Sequence, residues 1–215
     1  GQQYTVTVTD LNGCQNTATV SVATLAIDPG TIQFTGGGTT LDRCVGQAIP
    51  VIAQLTAATG GGNGNYVYNW QSSTDNVTFT DVGATGTTLT VATLQTAQTV
   101  YYKRGVRDAN APSSALVYTP AVTLNVRALP TVAITPLSSN IPTGASITLT
   151  ATAGAGYTYA WSASAGSATT QAVTRTEAAA GTYSYTVTVT DGFTCQNTSA
   201  AASVVVSDLL PGSIT

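Results

Sequence analysis

The sequence predicts an all-β chain of antiparallel sandwiches arranged end to end. Three observations carry this reading. Apolar side chains alternate with Thr and Ser at period two, short Gly, Asn, Asp and Pro clusters interrupt the alternation, and a long internal repeat returns the end of the chain to its beginning.

The repeat defines the organisation. YTVTVTD occurs at Tyr4–Asp10 and again at Tyr185–Asp191, 181 positions on, and Cys14-Gln15-Asn16-Thr17 returns at the same offset as Cys195-Gln196-Asn197-Thr198. Asp28-Pro29-Gly30-Thr31-Ile32 resembles Leu210-Pro211-Gly212-Ser213-Ile214, offset by 182. A second likeness lies inside the first: YVYNW at Tyr66–Trp70 against YTYAW at Tyr157–Trp161, and Gln98–Asp108 against Gly181–Asp191. Residues 1–24 therefore read as the last two strands of a preceding, incomplete domain. Residues 25–127 and 128–207 read as two related domains, and 208–215 as the start of the next repeat. A lone hairpin is marginal in water, so the first strands belong to a longer array or complete a neighbouring sandwich.

The strands follow in order. In the middle domain the predicted inward sets are Val51, Ala53 and Leu55; Tyr66, Tyr68 and Trp70; Leu89 and Val91; Val100, Tyr102 and Val106; and Val122, Leu124 and Val126. In the next domain they are Ile147, Leu149 and Ala151; Tyr157, Tyr159 and Trp161; Tyr183, Tyr185, Val187 and Val189; and Val204 and Val206. One apolar face per strand predicts sheets packed face to face. A Trp in the third strand with an aromatic strand near the end fits an immunoglobulin-like core. Trp70, Trp161, Tyr102 and Tyr185 are thus predicted core residues. Parity also turns Arg104 inward, and it is expected near a sheet end with its head in water. Glu177–Ala180, the richest helix-forming run, is too short to propagate.

The strings YVYNW…QTVYYKRGVRD and YTYAW…GTYSYTVTVTDGFTCQN resemble the Ig-like and PKD-like repeats of very large cell-surface proteins of Bacteroidota, among them gliding-motility adhesins and related surface filaments. The resemblance covers essentially the whole chain. It implies export across the outer membrane, tandem display at the bacterial cell surface, and a structural or adhesive role. One departure is plain: many such repeats carry a second cysteine in the last loop of each domain, and Ala109–Ser113 has none.

Composition narrows the chemistry. Charged residues are 7% of the chain, hydrophobics 43%, and net charge is −3, against the low hydrophobicity and high charge of disorder. The six basic residues form no large patch, and the cluster of Lys103, Arg104 and Arg107 is too thin a footprint for nucleic acid. No apolar run approaches a membrane span, and no signal peptide is visible, so secretion would be directed from outside this chain. Without His there is no Ser-His-Asp or Cys-His site and no His zinc ligand. No cofactor, metal site or catalytic residue is predicted, and the chain is not read as an enzyme. Gly60–Gly64 lacks the Lys and helix of a phosphate loop and reads as a flexible loop between strands. Asp10, Asp108 and Asp191 each end a strand, as turn-forming side chains rather than calcium ligands. Asn76 and Asn197 match a short glycosylation pattern of little weight in Thr-rich sequence.

Two functions remain. The first is a rigid stalk or fibre whose partners are neighbouring repeats or identical subunits; the short linker Arg127-Ala128-Leu129-Pro130 favours it. The alternative is a module that binds polysaccharide through exposed aromatics, against which stands the inward parity of nearly all of them.

The three cysteines yield a specific expectation. In an immunoglobulin-type sandwich Cys44 follows the first strand and lies at the bottom of the middle domain. Cys195 lies in the turn between the last two strands of the next domain, at its top. Domains stacked end to end bring these two together, so an interdomain disulfide Cys44–Cys195 is predicted, with Cys14 bonding an upstream repeat. Three free buried thiols are the alternative.

Overall fold

The structure, a computed structural model, describes residues 2–22, 25–62 and 64–208. Residues 209–215, most of the segment expected to open a further repeat, lie outside the described residues. The regular structure described is β throughout, apart from a 3-10 turn at Ala163–Ala165. No helix among the described residues is long and apolar enough to cross a membrane. The chain divides into two compact units: residues 1–41, 48–92 and 98–125, and residues 42–47, 93–97 and 126–215.

The first ten strands in the chain after an opening hairpin belong mainly to the first unit. The hairpin is β1 (Gln2–Thr9) and β2 (Gln15–Val22), a two-stranded sheet in itself. Then come β3 (Leu25–Asp28), β4 (Thr31–Phe34), β5 (Thr40–Cys44), β6 (Ile52–Thr56), β7 (Thr59–Gly61), β8 (Tyr66–Ser73), β9 (Thr80–Asp81), β10 (Gln98–Asp108), β11 (Val117–Tyr118) and β12 (Val122–Arg127). The main sheet runs β5-β12-β10-β8-β9, with β11 also on β10, while β3 pairs β7 and β4 pairs β6. Ile32, Phe34, Ile52, Trp70, Tyr102, Val106 and Leu124 are buried, as alternation of one apolar face demands. Trp70 keeps its indole N–H satisfied by donating to the Gly86 carbonyl at 2.8 Å.

The second unit adds β13 (Ile134–Thr135), β14 (Ser138–Pro142), β15 (Ser146–Ala151), β16 (Thr158–Trp161), β17 (Ala172–Thr176), β18 (Gly181–Tyr185), β19 (Val187–Thr190), β20 (Gln196–Thr198) and β21 (Ala202–Ser207). Its sheets are β13-β15-β17, β14-β21-β18 and β16-β19-β20. Pairing is antiparallel except for β14 on β21. Ile134, Leu149, Trp161, Tyr185, Val187, Ala202, Val204 and Val206 form its core. Trp161 repeats the solution of Trp70, donating to the Thr170 carbonyl at 2.8 Å.

Three local expectations are corrected. The strand after Pro50 buries the opposite parity: Ile52 is fully buried and Leu55 is 56% exposed. Both parities of VIAQLT carry apolar side chains, so the pattern is ambiguous. The pairing of β6 with β4, Ile52 opposite Phe34, selects the Ile52 face. Gly60 and Gly61 belong to β7 rather than to a flexible loop. Gly60 has φ +80°, and a Cβ there would lie 2.0 Å from the Ala26 carbonyl oxygen, so close backbone approach needs glycine.

Arg104 is the third. It is 0% exposed and sits mid-strand opposite Trp70, too far from a sheet end to reach water. Its guanidinium instead donates to Gln54 Oε1 (3.0 Å), the Thr87 carbonyl (3.3 Å) and the Pro29 carbonyl (3.0 Å), and lies 4.8 Å from the Tyr68 ring centroid. Burial pulls its pKa down from the usual arginine value. All six basic residues lie within strands: Arg43 in β5, Lys103, Arg104 and Arg107 in β10, Arg127 in β12 and Arg175 in β17.

Candidate functional site

The feature with distinctive chemistry is a cysteine turn and what it holds. β19 ends at Thr190, and Asp191 opens the turn. Its Oδ1 accepts the N–H groups of Phe193 and Cys195, both at 2.9 Å, while the Asp191 N–H donates to the Cys195 carbonyl at 3.0 Å. An aspartate that caps its own turn is the behaviour expected of that residue type. Thr194, at φ +66°, completes the reversal.

The turn delivers Cys195 to Cys44. Their Cα atoms are 5.5 Å apart and the two sulfurs are bonded, closing a separation of 151 residues. Both cysteines are buried. Cys44 ends β5, where its N–H donates to Gln47 Oε1 at 2.9 Å and its carbonyl accepts the Gln47 N–H at 3.0 Å. Segment 42–47 belongs with the second unit, so the bridge lies inside that unit.

Four further contacts surround the bridge, and sequence reasoning missed them. Arg127 forms an ion pair with Asp42 at 2.7 Å and stacks its guanidinium 4.2 Å from the Phe193 ring centroid. The Val45 N–H donates to the Arg127 carbonyl at 2.9 Å. Asn197 Nδ2 donates to the Pro130 carbonyl at 2.9 Å, which engages one of the two candidate glycosylation nitrogens. An exposed phenylalanine inside a polar turn was the one available signal. Both charges of the ion pair are more than one-third exposed, so this pair orients more than it stabilises. An open cleft of about 280 Å³ beside the bridge is lined by Val45, Gly46, Gln47, Leu129, Thr194 and Gln196.

The other residues singled out by sequence take these places. Trp70 and Tyr102 lie in the core of the first unit, Trp161 and Tyr185 in that of the second. Tyr185 donates its hydroxyl to Glu177 Oε1 at 2.8 Å, and Glu177 also pairs with Arg175 at 3.3 Å. Burial, and then the bond to Glu177, push the Tyr185 phenol up to about 12. Cys14 is free and exposed. Asp10 and Asp108 accept backbone N–H groups two residues on, as turn formers do. Among the described residues no group of three or more His, Cys, Asp or Glu is placed to hold a metal ion.

A family model described as a domain of unknown function (DUF8696) matches residues 38–128. No curated protein matches the chain. Among solved structures the chain is similar to the N-terminal four Ig domains of Dscam1 isoform 7.44, at 12% identity over 95% of this chain and 54% of that one, TM-score 0.37. It is similar to the three N-terminal domains of the bacteriophage RB49 Highly Immunogenic Outer Capsid protein, at 23% identity over 73% and 53%, TM-score 0.34. The chicken CNTN1 FN1-FN3 domains follow at 9% identity over 95% and 77%, TM-score 0.38. The chain spans about half the length of the first two.

Proposed function

We propose that this chain is a structural repeat segment of a long extracellular bacterial surface adhesin or filament, acting as a rigid stalk or fibre. The observation that carries the reading is the buried Cys44–Cys195 bridge. Disulfides form and persist in oxidising compartments, which supports an extracellular setting. The return of the sequence at 181 positions supports tandem display of domains 25–127 and 128–207. The likeness of GTYSYTVTVTDGFTCQN to repeats of Bacteroidota surface proteins supports the bacterial surface. Its partners are then neighbouring repeats of the same protein or identical subunits.

Small-angle scattering of the full chain tests the proposal. A rod-like profile is the expected result, and a near-spherical one would overturn the stalk. The polysaccharide alternative draws little support from surface chemistry. The aromatic side chains exposed beyond one-third among the described residues are Tyr4 and Phe193, and Phe193 already carries Arg127 on its face.

A further inference from the structure

The hairpin β1–β2 and the bridged turn of the second unit are two copies of one structure in different surroundings. Their sequences repeat at 181 positions, and their pairings repeat with them. Thr7↔Thr17, Val8↔Asn16 and Thr9↔Gln15 in the hairpin match Thr188↔Thr198, Val189↔Asn197 and Thr190↔Gln196. Tyr4↔Val20 matches Tyr185↔Ala202, and Gln2↔Val22 matches Tyr183↔Val204, once a single extra residue is allowed between Thr198 and Ala202. The turns agree bond for bond. Asp10 Oδ1 accepts the N–H groups of Asn12 and Cys14 at 2.9 and 2.8 Å, the Asp10 N–H donates to the Cys14 carbonyl, and Gly13 takes the left-handed place of Thr194.

The surroundings differ completely. Tyr185, Val187 and Val189 are each 0% exposed, whereas Tyr4, Val6 and Val8 are 53%, 60% and 65% exposed. Cys195 is bonded, and Cys14 is a free, exposed thiol. An open groove of about 480 Å³ runs along Val6, Val8, Ala18 and Cys14. In the second unit the corresponding face is covered by the strands β13, β15 and β17, and the edge of β19 is taken by β16, Trp161 opposite Val187.

We infer that the hairpin 2–22 is the closing pair of strands of a further sandwich, whose first five strands, of the β13–β17 kind, come from a preceding repeat of the same protein, and that Cys14 bonds a cysteine equivalent to Cys44 in that repeat. The occupant is specified by the twin: a sandwich lacking its last strands, with a Trp on the strand beside Val6 and a thiol presented by a Cys-Val-Gly-Gln turn. Two thiols form the bond, and an exogenous oxidant of the kind present in an oxidising compartment, molecular oxygen or a disulfide, takes up two electrons and two protons. The inference rests on the tandem reading but not on stiffness: a compact scattering profile would sink the stalk and leave this pairing intact.

The test is a fused chain in which residues 1–181 are followed directly by residues 1–215, so that the second hairpin falls where residues 182–205 stood. Non-reducing peptide mapping is expected to link Cys14 of the second copy to Cys44 of the first, with Cys44–Cys195 retained in the second copy. Val6→Asp in the second copy is expected to lower the melting temperature, whereas the same change in the 215-residue chain leaves it within error of the parent. An alkylatable second Cys14, or a Val6→Asp change neutral in both settings, would overturn the inference. Aggregation of the fused chain would count against it too, because correct pairing leaves no new apolar face exposed. Covalent dimers of the 215-residue chain joined through Cys14 would assign the thiol to a second copy and likewise overturn it.

Discussion

At the scale of single residues, the aromatic anchors are the most exacting. Trp70 and Trp161 are buried with their indole N–H groups satisfied, so truncation removes a large apolar volume and strands a carbonyl. Either Trp→Ala change should cost about 3–5 kcal/mol in denaturant unfolding. These positions were legible because large rings at alternate positions have one sensible side. Arg104 was legible in direction but not in destination, since its partners Gln54, Thr87 and Pro29 come from distant parts of the chain. Arg104→Met should lower stability by about 1–3 kcal/mol in all, because the half-buried Pro29 carbonyl loses its donor while Gln54 and Thr87, on exposed residues, can turn to water. Tyr185 sets an alkaline limit. Its phenol holds its proton to about 12 in the folded state, above its ordinary value near 10. The folded state then binds more protons than the unfolded one at high pH. The contribution is full below about pH 10 and is lost as pH rises towards about 12. Thermal melts of the parent should fall over that window, and Tyr185→Phe should flatten the decline.

At the scale of elements, strand identity was readable and strand facing only partly so. β15 buries the face its alternation indicates because its other face is Ser146, Thr148 and Thr150, and β10 and β21 also bury the indicated faces although Tyr101 and Val205 stand on their outward sides. β6 does not, because Leu55 and Ile52 compete and the choice belongs to its partner β4. β7 was hidden because glycine is a poor strand former, admitted here by the approach of Ala26. The two cysteine turns offer a direct measurement. Thr194 is a β-branched residue held at φ +66°, where its twin Gly13 sits at +81° without a Cβ to clash. Thr194→Gly should therefore stabilise the second unit by roughly 0.5–1 kcal/mol, the left-handed penalty less the extra entropy of glycine in the unfolded chain. An unchanged or lower midpoint in urea would contradict this.

At the scale of the molecule, the bridge joins residues 151 positions apart. In the chain-entropy model a loop of that length stabilises the folded state by about 5 kcal/mol, an upper-end figure. The double change Cys44→Ser, Cys195→Ser should lower the unfolding midpoint, and reductant should reproduce the effect in the parent and not in the double variant. The pairing was accessible from sequence because the order of strands in a sandwich assigns each turn to one end. The contacts of Arg127 with Asp42 and Phe193 were not, since they depend on side-chain reach.

The placement of every basic residue inside a strand bears on how the chain meets digestive enzymes. Proteases of trypsin specificity cut after Lys or Arg, and they must draw several residues of backbone into their cleft. Here each such residue is held in a sheet ladder, and no exposed loop tip offers one. Cleavage must therefore wait for strands to open, so its rate reports unfolding rather than surface access. The native chain should survive trypsin for as long as it stays folded and be cut promptly once denatured, while an elastase-type enzyme, which accepts Ala and Val, finds its sites in the loops of the intact protein.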